Sequence, residues 1–199
     1  MQNQNQNLNN ICKDQDCQKI KICVAGESET GKCGIDALTQ AKELGREIVR
    51  QGGAMVSGTK PGFPLWSAMG AKEVGGISVG FSPAATEREH VETYKLPVDY
   101  MDLIVFTGFG YPGRDLILVH SSDAVLVGCG GINTLHEFTV AFEEDRPIGI
   151  LQGDWEMPDE LKDIIEKGHR PNAKIVFDAD PKELVRKVIA LVEKDKAIK

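Results

Sequence analysis

The residues of this chain whose types and spacing could do chemistry are concentrated between Phe109 and Glu137. The run Gly130-Gly131-Ile132-Asn133-Thr134-Leu135-His136-Glu137 follows a short apolar segment, Ala124 to Val127, and opens a stretch with helical spacing. Two adjacent glycines let the backbone come close to a phosphate, and the N–H groups of a helix's first turn point at it. Gly130, Gly131, Asn133 and Thr134 are therefore candidate phosphate-binding residues, with Thr134 adding a hydroxyl. Glu137 is a candidate catalytic carboxylate. With Leu135, Phe138 and Phe142 as the apolar stripe, its side chain is expected in the first turn, away from the core and near the crevice. The same spacing also has a structural reading: Thr134-x-x-Glu137 is a capping box, in which the Glu reaches back to the cap N–H. Spacing alone leaves both open.

Arg114, in Phe109-Gly110-Tyr111-Pro112-Gly113-Arg114-Asp115, is the second candidate catalytic residue. A cation in a helix's first turn opposes the macrodipole at a cost of about 0.3–1 kcal/mol, so its placement there points to a phosphate or carboxylate that it faces. The alternative is a solvated arginine offset by Asp115. Two further turns, Gly26-Glu27-Ser28 and Gly58-Thr59-Lys60-Pro61-Gly62, add Gly26, Ser28 and Gly58 as candidate ligand contacts. Neither completes a dinucleotide fingerprint or a P-loop, and ordinary turn chemistry is the competing reading. His90, in a polar stretch with Tyr94 close by, is a candidate substrate contact or simply a surface histidine.

These residues need elements to position them. Short Val- and Ile-rich runs predict strands over 20–25, 54–57, 77–81, 103–107, 124–127, 148–151 and 174–177. Between them, helical spacing predicts helices over 35–51, 64–74, 113–121, 134–144, 160–167 and 181–194. Residues 82–101 read as a long irregular connection. Strands buried on both faces and separated by helices imply an α/β, doubly wound, mostly parallel sheet with helices on both faces, a Rossmann-like three-layer fold. Ligands on such sheets bind beyond the carboxyl ends of the strands, where the glycine turns lie. Residues 1–18, rich in Gln and Asn, read as a disordered polar tail, and 19–199 as one nucleotide-binding domain.

A net charge of −7 over 199 residues argues against a nucleic-acid partner or an anionic membrane surface, yet leaves room for a small anionic ligand held by backbone N–H groups. No apolar run reaches membrane-spanning length, and the polar N-terminus is not a secretory signal. Five cysteines, an odd count without paired spacing, fit free thiols in a reducing cytoplasm; no fitting second pair completes a metal site with Cys12 and Cys17.

Arg114, Ser122-Asp123-Ala124 and Gly130-Gly131-x-x-Thr134-x-x-Glu137, with Glu137 standing 23 residues beyond Arg114, resemble the Lonely-guy (LOG) family over about residues 19–151. Its hallmark is an Arg followed by PGGxGTxxE. Here Cys129 stands for the proline, Asn133 for the third glycine, and Asp115 where a Lys commonly follows the Arg. The segment 94–114 is more like a divergent branch of the superfamily, which includes a molybdenum-cofactor carrier. The resemblance implies a phosphoribohydrolase that releases free base and ribose 5-phosphate from a nucleoside 5′-monophosphate, without metal or organic cofactor, as a homodimer. Glu137 would stabilise an oxocarbenium-like state or activate water, and Arg114 would anchor it. The lysine decarboxylase label that many members carry does not fit, since that chemistry needs a Schiff-base lysine and Lys60 alone lies at these turns. The alternative on the same fold is a binding protein, a nucleotide sensor or cofactor carrier that leaves its ligand intact.

Overall fold

The computed structural model describes residues 18–28, 31, 33–170 and 173–198. The expectation of a disordered tail falls almost wholly on residues outside these. Along the described residues, strands and helices alternate as β1 (Lys21–Ala25), α1 (Ala37–Arg50), β2 (Ala54–Ser57), α2 (Phe63–Glu73), β3 (Ser78–Ser82), α3 (Glu87–Glu92), β4 (Leu103–Phe106), α4 (Gly110–His120), β5 (Ala124–Val127), α5 (Ile132–Glu143), β6 (Ile148–Leu151), α6 (Met157–Lys167), β7 (Ile175–Asp178) and α7 (Pro181–Ile198). Among these residues no helix is long and apolar enough to cross a membrane.

The seven strands form one sheet in the order β4-β3-β2-β1-β5-β6-β7, every neighbouring pair parallel. Successive crossovers move outward from β1 to β4, then return to its other side at β5. The β1–β5 boundary is therefore the topological switch point, where loops diverge and leave a crevice. Strand alternation splits the core into two layers. Ile22 and Val24 of β1 pack with Leu44 and Ile48 of α1, Ala68 of α2 and Val188 of α7. Cys23 and Ala25 face Leu118 of α4, Phe138 of α5 and Leu161 of α6. Central strands buried on both faces explain why they read as continuous apolar runs.

Several helices differ from the sequence reading; α4 and α6 start at Gly110 and Met157 rather than at residues 113 and 160. The connection expected to be irregular contains α3, started by Thr86, whose hydroxyl accepts from Glu89 N–H at 3.2 Å while the Glu89 carboxylate accepts from Ala85 N–H at 2.8 Å. At six residues, α3 is too short for hydrophobic periodicity to register. The motif helix α5 starts at Ile132, two residues before the expected Thr134, with Gly131 as its N-cap.

Helices α1 and α2 cross at glycines. A Cβ on Gly45 would meet the Ser67 carbonyl, and one on Gly70 the Lys42 carbonyl, both immovable backbone. Gly45→Ala should therefore destabilise the protein by roughly 1–3 kcal/mol, despite alanine's better helix propensity, as read from the midpoint of urea unfolding.

Candidate functional site

At the carboxyl ends of β1 and β5, the glycine turns converge on one aromatic ring. Phe63, the first residue of α2 and fully buried, occupies the space where a side chain on Gly26 or Gly128 would stand; a Cβ on Gly26 would lie 2.7 Å from Phe63 Cβ. Phe63 N–H donates to Glu27 O at 3.0 Å, and Glu27 N–H to Cys129 O at 2.9 Å, so the β1 and β5 loops are tied together around the ring. Gly26 thus serves packing.

Past this wedge the chain opens into a cavity of about 700 Å³ lined by Glu27, Ser28, Cys33, Gly130, Gly131 and Glu160 among others. The Gly130-Gly131 turn and the start of α5 form one wall. The first N–H groups of a helix have no partner within it, and Gly131 brings no side chain to cap them, so they remain donors for a ligand. Gly130 is required by Thr134, whose side chain fills the place of its Cβ. Asn133 faces a second cavity of about 400 Å³ with Pro112, Asp115 and His136.

The capping box does not form. Because α5 begins at Ile132, Thr134 is its third residue rather than its cap, and Glu137 lies in the second turn. The helix face that packs inward carries Thr134, Glu137, Phe138 and Ala141, at three- and four-residue steps. This corrects the expected stripe: Glu137 shares the buried face and is only 2% exposed. Arg114 also departs from expectation. Since α4 starts at Gly110, Arg114 stands in its second turn, and it is fully buried rather than solvated.

Arg114 and Glu137 belong to one buried polar cluster with Lys60, Asp115 and Thr134. Arg114 Nη1 reaches Phe81 O at 3.4 Å and occupies the space of a Cβ on Gly58, which gives that glycine its purpose. Arg114 Nε lies 2.9 Å from Asp115 Oδ1, an ion pair by distance without hydrogen-bond alignment; the two stand side by side on one helix turn. His136 Nδ1 lies 3.0 Å from the other oxygen, Asp115 Oδ2, and donates to it. Lys60 Nζ, Arg114 Nη2 and Thr134 Oγ1 are buried without hydrogen-bond partners. Burial pushes the Glu137 carboxyl up to about 7; Arg114 and Lys60 oppose the rise and Asp115 adds to it. Lys60 is the functional candidate that motif reading missed, because a turn lysine ordinarily points to solvent. Its neighbour Thr59, at φ 57, was the available signal only in structure: a β-branched residue in the left-handed region stores about 1–3 kcal/mol of strain.

Two sequence expectations are corrected outright. His90 is not on the surface: it is fully buried, with Nδ1 2.8 Å from Ser82 Oγ and Nε2 3.1 Å from Pro97 O, so its ring nitrogens tie α3 to the end of β3 and to the segment between α3 and β4. The thiols are not all free, since Cys33 and Cys129 form a disulfide with Cα atoms 5.9 Å apart. They are 96 residues apart in sequence, so no local spacing could announce the pair. The adjacency of β1 and β5 brings their loops together. Of the remaining cysteines, Cys23 is free and buried, and Cys12 and Cys17 lie outside the described residues. Among the described residues no cluster of His, Cys, Asp and Glu could hold a metal.

Residues 19–185 match the family model described as the SLOG cluster4 family. An uncharacterized protein of Archaeoglobus fulgidus is 29% identical over 133 residues, which cover 67% of this chain and 82% of that protein. The molybdenum cofactor binding protein of Rippkaea orientalis is similar in structure, with a TM-score of 0.71 and 25% identity, covering 90% of this chain and 99% of that one. The molybdenum cofactor carrier protein of Chlamydomonas reinhardtii gives 0.70 at 24%, covering 88% and 99%. DNA processing protein A of Streptococcus pneumoniae gives 0.60 at 19%, covering 86% of this chain and 61% of that one, and shares the fold alone.

Two outcomes test this geometry. Because the folded-state value of Glu137 lies above its ordinary 4.5, the stability it contributes is complete below 4.5 and is lost as pH rises toward about 7. Glu137→Gln, which cannot ionise, should therefore gain thermal stability relative to the parent between about pH 5 and about pH 8, and a pH-independent difference in Tm would refute the buried carboxyl. Reducing the Cys33–Cys129 bridge should lower stability by roughly 2–4 kcal/mol in urea unfolding, and the Cys33→Ser/Cys129→Ser protein should lose that response to reductant.

Proposed function

Since the chain belongs to the SLOG cluster4 family, we propose that it binds a phosphorylated, nucleotide-like small molecule in the crevice between β1 and β5 and holds it intact, as a carrier or sensor. One observation carries this reading. The Gly130-Gly131 turn opens onto a cavity of about 700 Å³, large enough for a nucleotide, while Arg114 and Glu137, the pair that would perform hydrolysis, lie at 0% and 2% exposure beneath it. A phosphate docked on the first-turn amides of α5 satisfies groups that the fold leaves as donors. The ligand's organic part then extends along Ser28, Ile132 and Leu135. The likeness to a molybdenum cofactor binding protein over nearly its whole length supports a binding role.

A specific observation favours a second reading, the phosphoribohydrolase. A carboxyl that titrates near 7 can exchange a proton at neutral pH, which a general acid or base for N-glycosidic cleavage must do. In that case Glu137 would steady the positive charge developing on the sugar or activate water, and Arg114 would hold Glu137 in place.

One experiment separates the two. The protein is titrated calorimetrically with AMP, GMP, CMP and UMP, and each mixture is then analysed by chromatography for free base and ribose 5-phosphate. The carrier reading expects saturable binding of at least one monophosphate with the ligand recovered whole, and Glu137→Gln binding it too. Base release that disappears in Glu137→Gln establishes the hydrolase instead. Absence of binding to every phosphorylated ligand rejects both.

A further inference from the structure

The buried cluster holds one cation that the fold does not satisfy. Lys60 is 3% exposed, and its Nζ has no hydrogen-bond partner. Taking a side-chain ammonium out of water without a partner is strongly unfavourable, so such a group is retained where something outside the folded chain repays it. The surrounding backbone is also held in a costly shape. Thr59 sits at φ 57, its hydroxyl donating to Gly58 O at 2.7 Å, and its methyl group fills the space of a Cβ on Gly80. Two more unpartnered donors, Arg114 Nη2 and Thr134 Oγ1, belong to the same cluster. Three side chains, from the loop after β2 and from helices α4 and α5, thus present donors that no acceptor of the fold satisfies by a hydrogen bond.

The charges agree. Arg114 is paired with Asp115, and Asp115 also engages His136, which leaves Lys60 and Glu137 as the remaining ionisable groups of the cluster. A carboxyl raised to about 7 is partly protonated at neutral pH and then leaves Lys60 uncompensated. The cavity above cannot quench an anion's charge, because the ionisable groups among its described lining residues are acidic: Glu27, Glu156 and Glu160.

We infer that Lys60 is a ligand-binding residue, the cation that pairs with the anionic phosphate oxygens of the bound molecule. This rests on the phosphate-binding reading above and adds to it the residue that distinguishes a phosphorylated ligand from its dephosphorylated form. Binding draws the loop after β2 toward the Gly130-Gly131 turn, and the anion replaces the partner that Lys60 lacks.

The test compares AMP and adenosine, with inorganic phosphate as a competitor, on the parent, Lys60→Met and Lys60→Arg proteins. If Lys60 meets the phosphate, Lys60→Met weakens AMP binding about tenfold or more, leaves adenosine binding unchanged, and raises or preserves the ligand-free Tm. Lys60→Arg should retain preference for AMP over adenosine. Equal AMP affinity in the parent and Lys60→Met overturns the inference while leaving the binding site in place. A Lys60→Met protein that loses Tm and binds AMP and adenosine equally less well also overturns it, by showing a structural lysine. A parent protein that binds no phosphorylated ligand fails the functional reading instead.

Discussion

Everything at this site follows from the pairing of β1 with β5. The chain leaves β1 in one direction, builds three strands outward, and returns to lay β5 on the opposite flank. Loops distant in sequence are forced together there, and a single ring fills the space between them. Phe63 can sit at the strand ends only because Gly26 and Gly128 carry no side chains, and the disulfide between Cys33 and Cys129 closes the same junction covalently. The junction is thus rigid at its base and open above, which is what a site that must place phosphate-binding amides needs.

Burial of charge is the second organising fact. A protein interior tolerates an ion when it is paired, and Arg114 with Asp115 meets that condition, though without an aligned hydrogen bond. Glu137 meets the condition differently. Facing Asp115 as well as two cations, and cut off from water, it keeps its proton into the neutral range. Depth therefore decides what the motif does. The same Arg and Glu at the surface of a crevice can act on a sugar, whereas Arg114 and Glu137 are buried at 0% and 2% exposure.

The architecture was legible in the sequence because its signals are local. Short apolar runs marked β2, β5 and β6 to the residue, and the order of strands and helices implied the parallel sheet. The candidate site was legible in membership but not in depth. Arg114, Glu137, Gly58, Gly130 and Thr134 do come together. Glu137's exposure was misjudged because the buried face of α5 carries Thr134, Glu137, Phe138 and Ala141 rather than Leu135, Phe138 and Phe142. The capping pattern misled because the helix starts two residues early. Thr134-x-x-Glu137 has the right letters in the wrong register, while Thr86-x-x-Glu89 caps a helix that is too short for its period to be seen. The disulfide and the burial of His90 depend on contacts between loops, and no window of sequence contains them.

Lys60, Arg114 and Thr134, buried side chains with donors that find no hydrogen-bond partner, all follow strand ends at the carboxyl edge of the sheet. Thr59 stands in the left-handed region, and its neighbour Lys60 and Arg114 Nη2 are buried without hydrogen-bond partners. The rest of the fold is built for stability: central strands buried on both faces, helices crossing at Gly45 and Gly70, and ion pairs such as Arg46 with Glu43 along the surface. Selection for stability alone would have replaced Lys60 with an apolar residue, since a buried unpaired cation destabilises an empty protein. Under the proposed reading, its presence is accounted for by what the crevice holds rather than by how the chain folds.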